Sequence, residues 1–184
     1  MSLTVSFQLS DRDLQYFADR MREAKSKAAD KDSSEVVAAA RKLVEELRKS
    51  DAPDFVRERV EKLDVLALML EDKEWGLQGE DQIRVQNAMA YVVDPHDLIP
   101  DQIPGLGFLD DAIMVELVCR ELRHEIDAYN DFVKYRGDEE KRRGKGGDPL
   151  TREQWLSARR AQLHDRMRRR RAALWESRLG RSLL

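Results

Sequence analysis

A single cysteine, Cys119, stands in 184 residues, so no internal disulfide framework can staple this chain and a reducing compartment is expected. Long apolar runs are missing too. Val65–Leu70 falls far short of the roughly 18 residues that a membrane span needs. No basic and apolar leader opens the sequence, so export is not expected and the cytoplasm is. There is no phosphate-binding Gly-rich loop, no Gly-x-Ser-x-Gly elbow and no zinc-ligand spacing, which removes the common nucleotide, hydrolase and zinc-site signatures. What is abundant is charge: 38% of residues are Asp, Glu, Lys or Arg and 41% are apolar, a helix-rich profile.

The net charge of −3 conceals a split. Residues 1–133 hold 17 basic against 29 acidic side chains, a balance of −12, while residues 134–184 hold 16 against 7, a balance of +9. An acidic body with a basic tail bears on partners rather than on fold.

Leu3, Val5, Phe7 and Leu9 alternate with polar residues, so 1–9 reads as an extended arm. Ser10 and Asp13 resemble a capping box opening a helix over about 11–29. Ser34 is placed to cap a second helix with the stripe Val36, Val37, Ala40, Leu43, Val44 and Leu47. Pro53 suits the first turn of a third, whose inner face is Val56, Val60, Leu63, Ala67 and Leu70. Asp81–Val93 reads as a fourth helix with Ile83, Met89, Ala90 and Val93 inward, ended by Pro95. A long fifth helix follows from Asp111 to about Tyr135, carrying Ile113, Val115, Val118, Leu122, Ile126 and Tyr129. Residues 136–150, charged and Gly-rich, read as a linker. Thr151 and Gln154 form a capping box for a last helix over about 151–178, with a narrow apolar line of Leu156, Leu163, Met167 and Leu174. The expected fold is all-α: a compact bundle of about five helices over 10–135 plus a separate basic C-terminal helix in 151–184.

The connection from Asp94 to Asp111 concentrates three of the five prolines, five aspartates and six large apolar side chains. Its string Asp97-Leu-Ile-Pro100-Asp101-x-Ile-Pro104-Gly105-Leu-Gly107-x-Leu-Asp110-Asp111, preceded by Ala90-Tyr-Val-Val-Asp94-Pro95, resembles the YkvA family, a widespread domain of unknown function. The resemblance covers roughly residues 63–125. It implies a small helical domain, in some members soluble and in others tied to membranes, and carries over no catalytic residue. Apolar residues usual in that family are replaced here by His96 and Gln102, which makes the loop rim wetter.

Read as structure, the loop is a clasp: Pro95, Pro100 and Pro104 remove N–H donors, Asp94, Asp97 and Asp101 accept from neighbouring ones, and Gly105 and Gly107 let the chain reverse. Asp110 would cap the long helix, worth about 1 kcal/mol. Read as chemistry, Asp97, Asp101, Asp110 and Asp111 form a site for Mg²⁺, Mn²⁺ or Ca²⁺, serving a cation-binding module or a hydrolase. From Glu74 to Cys119 the one basic residue is Arg84, against nine acidic ones. The spacing matches no EF-hand, and the structural reading, with no cofactor, is preferred.

Glu121 and His124 have Glu-x-x-His spacing, but the second copy that a di-iron bundle needs is missing. Cys119, among Val115, Val118 and Leu122, reads as inert. In the last helix Arg166 and Arg168, Arg169, Arg170 and Arg171 cover every face of two turns, and guanidinium forks suit phosphate. The chain is therefore expected to be a non-enzymatic interaction or scaffold protein. Residues 151–184 would meet protein, either the chain's own acidic body or a neighbour. An anionic membrane surface or nucleic acid is the alternative partner.

Overall fold

The structure, a computed structural model, describes residues 10–17, 19, 32–92, 108–143 and 149–182. The proposed arm 1–9 and the remainder of the first expected helix lie outside them. The reciprocal cap at its start is present: the Ser10 amide donates to Asp13 Oδ2 at 2.9 Å and the Asp13 amide to Ser10 Oγ at 3.3 Å. Residues 11–17 are helical behind it.

Helix α1 (Ser33–Lys49) buries Val36, Val37, Ala40, Val44 and Leu47 on one face, as its stripe requires. Its N-cap is Asp32 rather than Ser34, whose hydroxyl donates to the Asp32 carboxylate at 2.7 Å. Ser50 closes the helix by donating Oγ to the Leu47 carbonyl at 2.7 Å. The third expected helix is two pieces, α2 (Asp54–Val60) and α3 (Lys62–Glu71), with Pro53 as N-cap of the first. At the junction the Asp64 amide donates to the Glu61 carbonyl, an i to i+3 bond that tightens the turn and re-aims the axis. Val56, Val60, Leu63, Leu66, Ala67 and Met69 are buried across the two.

Helix α4 (Gly79–Val92) buries Met89 and Ala90 as read from sequence but corrects Ile83, which is 56% exposed, while Val85, Ala88 and Val92 are buried and Val93 lies outside the described residues. That face continues back to Asp81, 5% exposed, and Ile83 sits about 200° around the helix from it. The fifth expected helix is also two, α5 (Leu109–Glu121) and α6 (Arg123–Arg143), meeting at Leu122 with φ −93° and ψ 14°. Helix α5 starts earlier than Asp111 because Phe108 enters it in the left-handed region, φ 64°, with its side chain buried. Asp110 is therefore not the N-cap. It and Asp111 stand in the first turn, where negative charge still complements the helix dipole.

The stretch 136–143, expected as linker, continues α6 through a ladder in which Glu139 pairs with Arg142 at 2.7 Å and Arg143 at 2.6 Å. Helix α7 (Pro149–Ser182) begins two residues before Thr151, which is thus inside the helix rather than its cap. Expected as a separate element, α7 packs along α6, while α1 packs chiefly on α3 and α2 on α5. Leu156, Leu163 and Met167 join the same core as α1 to α6. No strand occurs among the described residues.

Candidate functional site

Buried acids organise the seam between α7 and the rest of the molecule. The turn after α3 supplies the first group. Asp72 Oδ1 accepts from the Glu74 and Trp75 amides at 3.0 and 3.1 Å, an Asx-type turn, and Gly76 takes φ 59° as the chain reverses. Trp75 is thereby driven into the core, fully buried against Phe132 at 5.3 Å, Tyr129 at 5.7 Å and His164 at 4.2 Å between ring centroids. Around that turn gather three arginines. Arg136 of α6 bridges Asp72 and Glu74, each at 2.8 Å. Arg152 of α7 pairs with Glu74 and Glu140, and Arg160 donates to the Glu74 carbonyl at 2.8 Å. Tyr129 donates to Asp72 Oδ2 at 3.2 Å. Burial first, then the Asp72 charge, push its phenol up to about 12.

The second acidic group is deeper. Glu125, fully buried in the first turn of α6, faces Arg171 at 2.9 Å and Arg84 at 3.2 Å. Asp81, in the first turn of α4, faces Arg171 at 2.7 Å and Arg168 at 3.2 Å. Arg171, 19% exposed, thus ties two buried carboxylates from two helices. His164 lies beside this cluster, and burial first, then the Arg168 charge, hold its imidazole below the ordinary value of 6.5.

The α7 residues facing inward are Arg152, Leu156, Arg160, Leu163, Met167 and Arg171, spaced by three or four, so they form one face. The face runs about 28 Å at 1.5 Å per residue and alternates cation with hydrocarbon. Its charges stabilise little in net terms, since desolvation offsets most of the attraction. Removing one partner is what costs, because the other is left buried and unpaired.

The five arginines picked out by sequence therefore separate. Arg168 and Arg171 are turned to the body, Arg166 pairs with Asp131 of α6, Arg169 pairs with Asp165 within α7, and Arg170 is exposed. Of the aspartate set, Asp110 and Asp111 are buried at the start of α5. Asp94, Pro95, His96, Asp97, Pro100, Asp101, Pro104, Gly105 and Gly107 lie outside the described residues. Among the described residues no group of three or more His, Cys, Asp or Glu side chains is placed to hold a metal ion. Glu121 and His124 end up on opposite sides of the Leu122 break, in α5 and α6, so their spacing does not put them on one continuous helix. Burial, then the neighbouring Arg123, lower the His124 imidazole. Burial pushes the Cys119 thiol up to about 11.

Sequence reasoning missed Asp72, Glu74, Asp81 and Glu125. The signal was present for two of them: Asp81 stands in register with Val85, Ala88 and Val92, and Glu125 with Leu122, Tyr129 and Phe132. An acid in an apolar stripe calls for a buried cation partner.

Residues 87–117, from the later half of α4 through most of α5, match a family described as "Protein of unknown function (DUF1232)". A protein of Bacillus subtilis (strain 168) called "Uncharacterized membrane protein YkvA" is 45% identical over 42 residues, 23% of this chain. The chain matches 40% of that relative's length. No solved structure matches. No helix of the described residues is long and apolar enough to cross a membrane. Asp81 and Glu125 lie before and after the matched segment in sequence, and Arg171 of α7 pairs with both. By these matches and by its own loop motif the chain is similar to YkvA over this segment, and its residues 87–117 match a family of unknown function.

Proposed function

We propose that this chain is a non-enzymatic helical interaction module of the cytoplasm in which the arginine-rich helix has two duties. Its inner face clasps the acidic body, and its outer edge meets an anionic partner. The observation that carries this reading is the division of the arginines. Arg168 and Arg171 are committed to Asp81 and Glu125, whereas Arg169 and Arg170 face solvent. A helix whose charge served only as a clasp would have no use for cations on the far side. An anionic membrane surface is the partner that fits best. Arginine at an exposed helical edge suits lipid phosphates, and the Bacillus subtilis relative is called a membrane protein.

Arg169→Glu and Arg170→Glu, made together in the full chain, test this reading. Co-sedimentation with vesicles containing phosphatidylglycerol at low salt should fall severalfold, with the melting temperature held within about 2 °C, as for other surface substitutions. Wild-type protein that ignores anionic vesicles at low salt would defeat the external half of the reading. Substitution serves better than truncation, because deleting α7 would uncover Trp75 and the face of α6 on which α7 packs.

A further inference from the structure

The arginines of this protein are matched with unusual consistency. Arg41, Arg48, Arg84, Arg136 and Arg166 each face a carboxylate, and Arg57 and Arg59 reach backbone carbonyls. Arg159 has no carboxylate but donates to Gln162 Oε1 at 2.7 Å and lies over the Tyr135 ring, whereas Arg123 and Arg170 differ from all of these. Among the described residues neither has an acidic partner, and both are exposed. The hydrogen bond of Arg123 goes to another base: its Nε donates to His124 Nε2 at 3.4 Å. Arg171 of α7 pairs with Glu125 at 2.9 Å, which brings the neighbouring Arg170, some 46 positions from His124 in sequence, to the start of α6, where its charge bears on the same imidazole. His124 also keeps a buried Nδ1 without a hydrogen-bond partner among the described residues. The acids nearby are Glu125 and Asp127. Glu125 Oε1 is already held between Arg84 and Arg171, which leaves exposed Asp127 as the opposing charge.

From this convergence we infer that Arg123, His124 and Arg170 form a binding site for a phosphate group, either free in solution or carried by a lipid head. The site rests on the reading that the outer arginine edge meets an anion, and it names where that anion sits. Two guanidinium forks from different helices can each offer paired N–H donors to phosphate oxygens, and the bound negative charge favours the protonated form of the adjacent His124.

The test is a proton NMR titration of the full chain, whose three histidines make the imidazole signals assignable with His124→Gln. Inorganic phosphate, added with ionic strength balanced by chloride, should raise the His124 midpoint by about half a unit or more, because a bound anion favours imidazolium. His164, packed on Trp75, should not move, nor should His124 in the Arg123→Gln/Arg170→Gln variant. That variant removes no ion pair and should melt as wild type does. Absence of a shift in wild type, or the same shift in the variant, overturns the site. A second arm uses phosphatidylcholine vesicles with and without phosphatidic acid. Selective co-sedimentation lost in the variant assigns the phosphate to a lipid head. A His124 shift without vesicle binding assigns it to a soluble phosphate. Anionic vesicle binding that survives fully in the variant sinks the site but leaves the outer-edge reading standing. A His124 shift in a protein that ignores vesicles keeps the site and withdraws the membrane surface as the partner of that edge.

Discussion

Glu125 shows how one side chain couples three helices. Its Oε1 holds Arg84 of α4 and Arg171 of α7 from the first turn of α6, in full burial. Glu125→Gln removes the charge while keeping shape, and strands two cations in a poorly solvated place. The expected loss is about 3 kcal/mol, the lower end for breaking a buried pair, because Arg171 retains Asp81. For a chain of this size that is a fall of roughly 6–12 °C in melting temperature. A shift under 2 °C by calorimetry would mean the cluster is solvated. Cys119 is the opposite case, a residue defined by inertness. With its thiol at about 11, roughly one molecule in a thousand carries thiolate at pH 8. Labelling by a thiol reagent in native buffer should be about a hundredfold slower than in urea, and equal rates would contradict the burial.

Among the elements, α7 depends on both hydrocarbon and charge. Leu163→Ala should cost about 2–5 kcal/mol by urea denaturation, the range for a buried leucine, whereas Ala161→Ser on the exposed side should change little. His164 makes this seam sensitive to acid. Its folded value lies below the ordinary 6.5, so between those two values the unfolded chain binds more protons than the folded one. The stability held by neutral His164 is therefore full above about pH 6.5 and declines as pH falls through that point toward its folded value. His164→Gln should flatten the drop in melting temperature between pH 7 and 5, and an unchanged slope would remove His164 from the account. Sequence made most elements legible because apolar spacing is local: the buried residues of α1 were all readable from a single stripe. It failed at the Glu61 and Leu122 breaks, where uninterrupted apolar spacing runs across the junction and nothing in composition marks it. It failed at Ile83 for a different reason. Sequence assigned the apolar residue to the core and the acid to water, whereas arginines reaching from α7 allow Asp81 inside. A contact between positions 81 and 171 has no local trace.

At the scale of the whole molecule, the charge split of −12 and +9 has a structural outlet. Acidic positions 72, 74, 81 and 125 of the body meet basic positions 136, 152, 168 and 171 of the tail, so part of the asymmetry is spent internally. Arg171 of α7, outside the matched residues, pairs with acids that precede and follow the YkvA-like segment in sequence. Salt should consequently weaken the outer edge before the inner face, because exposed charges are screened and buried ones are not. The most direct measurement is amide hydrogen exchange on the full chain, comparing residues 156–171 with α3. Docking through buried carboxylates and Leu156, Leu163 and Met167 predicts that those amides open with free energies close to those of α3. Exchange of 156–171 at the rate of a frayed peptide, while α1 and α3 stay protected, would contradict it.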